Sequence, residues 1–413
     1  MNYALPFKLP SAIRQPGRGD ERRLGGLDLL RCAAIVSVVL CHYCQSKPFL
    51  LPLEHYGWVG VDLFFVLSGY LIGGQLFSLQ SKHGSIPLKT FYARRFIRTL
   101  PSYYAVLALY LIVPAFSPLT IKEKLVAFWQ YATFTQNLTL GLSFFQHSWS
   151  LCVEEHFYLL LPLLVGFFLK RKRQGLHWVF PLIILGELIL RAAIMFYGLL
   201  NLRLETRADA LAYFVNIYYP TYCRLDGLTV GVALAAMSHY QPGLWSRLMA
   251  RGNQLLLAGG LGLLLAFILM SLNLRIFTGT INFTLLSISF GLMTAAAVSP
   301  QCVLSRVKWR AITLLAELAY AIYLTHLIAF SLTDMALAKF GLNGRSYGLS
   351  FVLTMLGVLT TALALYALVE QPCLHLRDRM FVYKSAETAN TAIAGANHLE
   401  TQYDFPTTSA SRR

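Results

Sequence analysis

Charge is what this chain has least of. Only 13% of its 413 residues are Asp, Glu, Lys or Arg, against about 25% in an ordinary soluble domain. Acidic residues are the scarcer kind, 19 against 35 Lys and Arg. A globular domain with a charged shell is thereby excluded. The seven cysteines lie mostly within or at the ends of apolar runs, so a disulfide-stapled module is excluded too. No internal repeat is visible. No cleavable leader is evident either: residues 1–26 are polar and basic, and the first apolar run reads as an uncleaved span. The net charge of +16 would suit nucleic acid, but the basic residues fall between apolar runs, as membrane topology requires.

What the chain has in abundance is apolar length. Hydrophobic residues make up 56% of it, in runs of about 18 or more that can each cross a hydrocarbon core of roughly 30 Å. The runs are continuous rather than alternating, which argues against a β-barrel. The expected fold is all-α, a polytopic bundle of about ten transmembrane helices near 27–45, 57–79, 99–116, 149–169, 177–199, 220–239, 254–272, 279–298, 311–332 and 348–370. Every second loop is rich in Lys and Arg, from Arg22 and Arg23 to Arg377 and Arg379, so both termini are expected in the cytoplasm. The segment 117–148 is aromatic but dotted with Gln, Asn and Thr, and reads as an outer interfacial or re-entrant segment. Asn137-Leu138-Thr139 fits a glycosylation sequon. Three segments follow: a cytoplasmic one over 1–26, a membrane domain over 27–372, and a cytoplasmic tail over 373–413, polar enough to be disordered.

Polar residues inside apolar spans are expensive and therefore candidates for function. The first span carries Arg31 and His42. Eleven residues are about 1,100° of rotation, roughly 20° from three full turns, and about 16.5 Å of rise. Both side chains share one helix face at opposite depths. Snorkelling to the two interfaces would give the same pattern for either residue alone. The topology places Asp62, Trp149, Glu154, Glu155, Arg224 and Asp226 on the outer half with His42, and Ser68 nearer the middle. That inventory suits general acid–base chemistry. The inner side collects Arg31, Arg94, Arg95 and Arg98, a cluster that suits phosphate groups, although positive-inside topology alone would also produce it. A phosphorylated acyl carrier docking inside, with its acyl end reaching His42, is the mechanism these two halves suggest.

These residues fall in a recognisable order. Arg31 and His42 form an Arg-x10-His pair, followed by "GVDLFFVLSGYLI" at 60–72, "FYARRFIRTLPSYY" with Arg95 and Arg98, "HSWSLCVEEHFYLLLP", "YCRLDGLTVGVALA" and "LAYAIYLTHL". Over residues 20–373 the chain resembles the acyltransferase-3 family of integral membrane acyltransferases, with His156 where Gln is common. The resemblance implies transfer of an acyl group, commonly acetyl from acetyl-CoA, to a glycan hydroxyl such as that of O-antigen or exopolysaccharide, in a bacterial inner membrane. By position it implies His42 as the catalytic residue with Arg31 as its partner, Glu154 and Trp149 at the transfer site, and Arg94, Arg95 and Arg98 as donor-binding residues. Asp62, Ser68, Glu155, Arg224, Asp226 and His326 would support the site or the acceptor. Some members carry an extracytoplasmic hydrolase-like domain. None is expected here, so transfer would finish within the membrane domain or with a separate partner.

Other readings remain open from sequence. Cys41-His42-Tyr43-Cys44 could hold a metal, but only three ligands are local and adjacent helical residues diverge by about 100°, so no metal and no permanently bound cofactor are expected. Cys152 could be acylated or simply packed. Ser68 could be a nucleophile but has no adjacent base in sequence. His326 could line an acceptor path or bond a neighbouring helix, and Glu370 could pair with an inner Arg. A glycan transporter or flippase is the rival class, although the paired interrupted helices common in transporters are absent. Transfer of another acyl group, such as succinyl, is the rival within enzymes. The expected partners are acyl-CoA, the glycan acceptor and the bilayer, with no nucleic acid.

Overall fold

The structure is a computed structural model, and it describes residues 25–46, 56–116, 119–139, 144–170, 176–199, 211–272, 275–342 and 347–381. The described residues are helical apart from short turns and links, with no strand among them. The principal helices are α1 (Gly25–Ser46), α2 (Gly60–His83), α3 (Leu88–Ile112), α4 (Ile121–Ala132), α5 (Trp149–Lys170), α6 (Leu176–Ile194), α7 (Asp226–Tyr240), α8 (Pro242–Met249), α9 (Gly252–Ser271), α10 (Ile281–Val298), α11 (Arg310–Lys339) and α12 (Tyr347–Leu365). Among the described residues, eight helical stretches are long and apolar enough to cross a membrane. They correspond to eight of the ten expected spans. The other two regions are also helical. α3 starts at Leu88, with Lys89, Arg94, Arg95 and Arg98 in its first half, which lowers its hydropathy. α7 has only 15 residues, about 22 Å of rise, and begins six residues later than the expected start at 220.

Local chemistry sets the helix ends. α2 stops at Gly84, whose left-handed φ of 67° lets its N–H bond the Gln80 carbonyl, a conformation that only Gly adopts freely. α3 ends before Pro114, which cannot donate a helical hydrogen bond. α4 starts on a reciprocal cap, in which Thr120 accepts from Glu123 N–H and the Glu123 carboxylate accepts from Thr120 N–H. The region read as interfacial is therefore an α-helix with short 3-10 turns around it. α12 passes through a π-turn (Tyr366–Glu370) and continues as helix to Phe381, so the expected break at 372 falls inside a helix. Residues 382–413 and the segment 1–24 lie outside the described residues.

Two kinds of packing position the site. α2 and α7 lie in close contact along small residues. A methyl group at Gly69 would run into the Leu228 carbonyl oxygen, and one at Gly231 into that of Val66. This close approach of backbones is how membrane helices gain contact without a hydrophobic driving force. On the other side, α1 and α11 pack together, against an aromatic core that includes Tyr103, Tyr110, Tyr131 and Phe145. The sequon does not survive this packing. Asn137 is buried, and its amide donates to Tyr219 O (3.1 Å) and Thr221 Oγ1 (2.9 Å).

Candidate active site

A cavity of about 400 Å³ opens between α1, α2, α3, α5, α11 and the end of α12. Arg31, Arg95, Arg98 and Arg377 line it together with Glu154, Glu155, Glu317 and Glu370. Cations and carboxylates thus alternate around one space, which corrects the expectation that arginines gather on the inner side and carboxylates on the outer. Glu155 Oε1 lies 3.7 Å from Arg95 Nη2 and accepts from Thr99 Oγ1 at 3.3 Å. The Arg95 guanidinium also covers the Tyr158 ring at 3.1 Å from its centroid. The reason is that α3 begins at Leu88 rather than near 99, so Arg95 stands about 10 Å along the helix instead of in the loop before it. Arg31 meets Asp28 at 3.6 Å. Arg94 turns away from this space, its guanidinium 4.8 Å from the Phe381 ring centroid.

The base that Ser68 lacks in sequence is supplied by another helix. Ser68 Oγ donates to Glu154 Oε1 at 2.9 Å, 86 positions away in the chain, and both residues line the cavity. Cys152 is fully buried, its thiol directed at the Ser148 carbonyl, so packing accounts for it. Cys41 is equally buried, near the Gln45 amide.

His42 does not line the cavity. Ser150 and Tyr323 belong to the lining, and there the Tyr323 hydroxyl bridges Ser150 Oγ and the His147 carbonyl. Immediately beyond stands a group of three imidazoles. The His326 ring centroid is 6.1 Å from that of Tyr323, 5.0 Å from that of His147 and 5.0 Å from that of His42. His326 comes from α11 and is fully buried. His147 comes from the 3-10 turn before α5 and was not singled out in the sequence, although it stands two residues before Trp149.

Hydrogen bonds fix which nitrogen carries which proton. His326 Nδ1 faces two carbonyl oxygens, Tyr323 O at 2.9 Å and Ile322 O at 3.2 Å. Carbonyls only accept, so Nδ1 carries the hydrogen. A neutral His326 then offers only its Nε2 lone pair, which lies 3.0 Å from His42 Nδ1. His42 Nδ1 is therefore the donor, and the lone pair of a neutral His42 sits on Nε2, where a base needs it. This is the arrangement by which a second group orients a catalytic imidazole. The group that orients His42 is thus a histidine rather than one of the carboxylates that the sequence places on the same half.

The remaining outer residues form a separate ionic network. Arg224 Nη2 donates to Asp62 Oδ1 (2.8 Å), and Arg191 Nη1 to Asp226 Oδ2 (2.8 Å). Thr284 joins Arg191 and Asp226, while Glu187 accepts from Leu225 N–H at 2.6 Å. All five charged side chains are buried. Trp149 packs on this side, 5.3 Å from the Arg224 guanidinium and 4.8 Å from the Tyr218 ring. Asp62, Asp226, Arg224 and Trp149 thus brace α2, α5, α6, α7 and α10 rather than facing the His42 ring. Glu187 and Arg191 escaped sequence reasoning. Their signal was present as two opposite charges four residues apart in "LGELILRAAI".

The chain is 32% identical over 234 residues to the O-acetyltransferase OatA of Staphylococcus aureus, covering 52% of this chain and 35% of that protein. It is 28% identical over 238 residues to the peptidoglycan O-acetyltransferase OatA of Listeria monocytogenes, covering 54% and 35%. The match therefore spans about a third of the length of these curated relatives. No solved structure matches the chain. The model of the acyltransferase-3 family, described as an acyltransferase domain, matches residues 24–369, and the chain belongs to that family.

Proposed function

We propose that this chain is a membrane O-acyltransferase of a bacterial inner membrane, moving an acetyl group from cytoplasmic acetyl-CoA to a hydroxyl of an extracytoplasmic glycan. Ten spans with both termini in the cytoplasm complete the reading, with α3 and α7 as the two shorter or more charged ones. The observation that carries it is the cavity with arginines along it and a paired histidine, poised as a base, behind Tyr323 of its lining. O-antigen and exopolysaccharide are suitable acceptors, and the name of the Listeria relative adds peptidoglycan.

The arginines hold donor phosphates, and the narrow cavity takes the thioester arm. The acceptor hydroxyl approaches His42 from the outer side. Its oxygen attacks the thioester carbonyl, its proton passes to His42 Nε2, the C–O bond forms and the C–S bond breaks. The departing thiolate takes that proton from His42 and leaves as the free thiol, which returns His42 to its neutral form. The positive charge that develops on His42 is delocalised into the bond its Nδ1–H makes to His326. Tyr323 stands between the cavity and the imidazoles, so its side chain must swing aside for the acyl group to arrive.

The test is mass spectrometry of surface glycans from cells carrying His42→Ala at unchanged protein level. Loss of the ester is expected. Retained O-acetylation refutes the role of His42, and glycan export without any ester product in the wild type refutes the enzyme.

A further inference from the structure

Ahead of α7 the chain makes a π-turn over Phe214–Tyr218, closed by the bond from Tyr219 N–H to Phe214 O at 2.9 Å. In an α-helix, residues five apart diverge by about 140°. The wider turn brings them into line, so the Phe214 and Tyr219 rings stack, 5.5 Å between centroids and 25° between planes. Single π-turns of this kind concentrate at functional sites. Pro220, with φ of −63°, follows and ends the turn. Tyr219 is held at both ends and on its ring. Asn137 Nδ2 donates to its carbonyl oxygen at 3.1 Å, and Gln146 Nε2 to its hydroxyl oxygen at 2.6 Å. Its ring meets that of Trp149 at 5.5 Å. Phe214, Asn216, Tyr222 and Gln146 are exposed. An aromatic belt also gathers rings at a membrane interface, but it needs neither a π-turn nor a side-chain bond that fixes a hydroxyl.

This platform adjoins the reaction centre. Gln146 opens the 3-10 turn Gln146–Ser148, and its neighbour, about 3.8 Å away along the backbone, is His147. Successive side chains of a 3-10 turn diverge by about 120°, which leaves Gln146 exposed and His147 buried. The His147 ring lies 5.0 Å from that of His326, whose Nε2 holds His42. The chemistry of the platform narrows its ligand. The negative face of an aromatic ring attracts the slightly positive C–H face of a pyranose. The bond from Gln146 uses only the oxygen of Tyr219, so the phenolic hydrogen remains to donate and the Gln146 carbonyl oxygen to accept. A sugar hydroxyl both accepts and donates, whereas an acyl chain has no use for either group. Gln146, Asn216 and Tyr222 are uncharged, which favours a neutral ring. Resting on the acyl-transfer reading above, we infer that the Phe214–Tyr219 stack and Gln146 bind a neutral hexose ring of the acceptor glycan, as specificity-determining residues that bring one of its hydroxyls to His42.

The test uses the full chain in nanodiscs, with the methyl pyranosides of glucose, galactose, mannose and N-acetylglucosamine as neutral probes and methyl glucuronoside as the charged comparison. Saturation-transfer NMR with irradiation of the aromatic protons should reach the C–H protons of at least one neutral probe, and those of the glucuronoside less. Phe214→Leu and Tyr219→Leu should each remove that transfer. Each should also raise the acceptor KM of the bound probe about tenfold, with the change in KM rather than kcat. Tyr219→Phe keeps the ring and should keep the transfer. Tyr197→Leu alters another exposed ring, 86% accessible, and should change neither reading. Thermal melting identifies variants that fail to fold. Absence of aromatic transfer to every neutral probe in the wild type overturns the inference. So does transfer that survives in both folded leucine variants, or tighter binding of the glucuronoside. A fall in kcat with acceptor KM unchanged marks a structural role and overturns it as well. Tyr219-dependent sugar binding by a protein that makes no ester would instead overturn the proposed function and leave this site standing.

Discussion

The bond between His326 and His42 permits a quantitative test of the assigned tautomer. His326→Phe keeps an aromatic ring against His42, whose centroid now lies 5.0 Å away, but removes the acceptor at 3.0 Å. Two effects follow. His42 loses the partner that holds its hydrogen on Nδ1, so the base-competent tautomer is no longer enforced. The imidazolium formed during proton transfer loses a hydrogen bond to a charged group, worth about 1.5–3 kcal/mol. At about 1.4 kcal/mol per factor of ten, turnover should fall roughly 10- to 150-fold. KM for the acyl donor should hold, because His326 lies beyond the cavity. His326→Gln places an amide oxygen that can accept from Nδ1–H, and should recover part of the loss. The assay is transfer of labelled acetyl from acetyl-CoA in membranes, normalised to protein level. Turnover unaltered in His326→Phe, or equal losses in the Phe and Gln variants, would refute the tautomer argument.

Other outcomes follow from the same geometry. Asp62→Asn or Arg224→Met alone leaves a buried charge unpaired and should destabilise the protein by about 3–5 kcal/mol; the double change Asp62→Leu with Arg224→Met should recover much of the loss, read as thermal stability in detergent. Gly69→Ala forces a methyl onto the Leu228 carbonyl oxygen and should lower folded yield, whereas Gly74→Ala, with nothing within 4 Å of the added carbon, should not. Ser68→Ala distinguishes direct transfer from an acyl-enzyme: direct transfer expects a reduced but measurable rate, and complete loss together with an acylated Ser68 peptide in the wild type would overturn it. Tyr323→Phe removes the hydroxyl that ties Ser150 to the His147 carbonyl, and should raise solvent access to His42, measured by diethyl pyrocarbonate labelling.

Much of the helical order was legible because apolar length and loop charge are local properties. Arg31 and His42 could be placed on one face from their spacing alone, and eight spans emerge at close to the expected positions. What was not legible is which helix meets which. Depth arguments put Glu155 with His42, yet Glu155 faces Arg95, because α3 begins early enough to hold its arginines within the helix. Asp62 and Asp226 looked like candidates beside His42, but the small-residue seam of α2 and α7 draws them into a bracing network with Arg224 and Arg191. His326 was visible as one polar residue in an apolar span. Its bond to His42 spans 284 positions, and no periodicity encodes that. The base for Ser68 was hidden for the same reason.

The Tyr323 closure has a consequence for the cell as a whole. A channel with a cationic mouth and imidazoles at its head would be a conduit for protons, and a membrane crossed by many copies would lose the gradient that drives its energy metabolism. With the hydroxyl of Tyr323 tied to Ser150 and the His147 carbonyl, a hydrogen-bonded knot ringed by aromatic side chains stands across that route. On the proposed function, each acyl passage would open this knot, and its re-formation would restore the electrical resistance of the membrane.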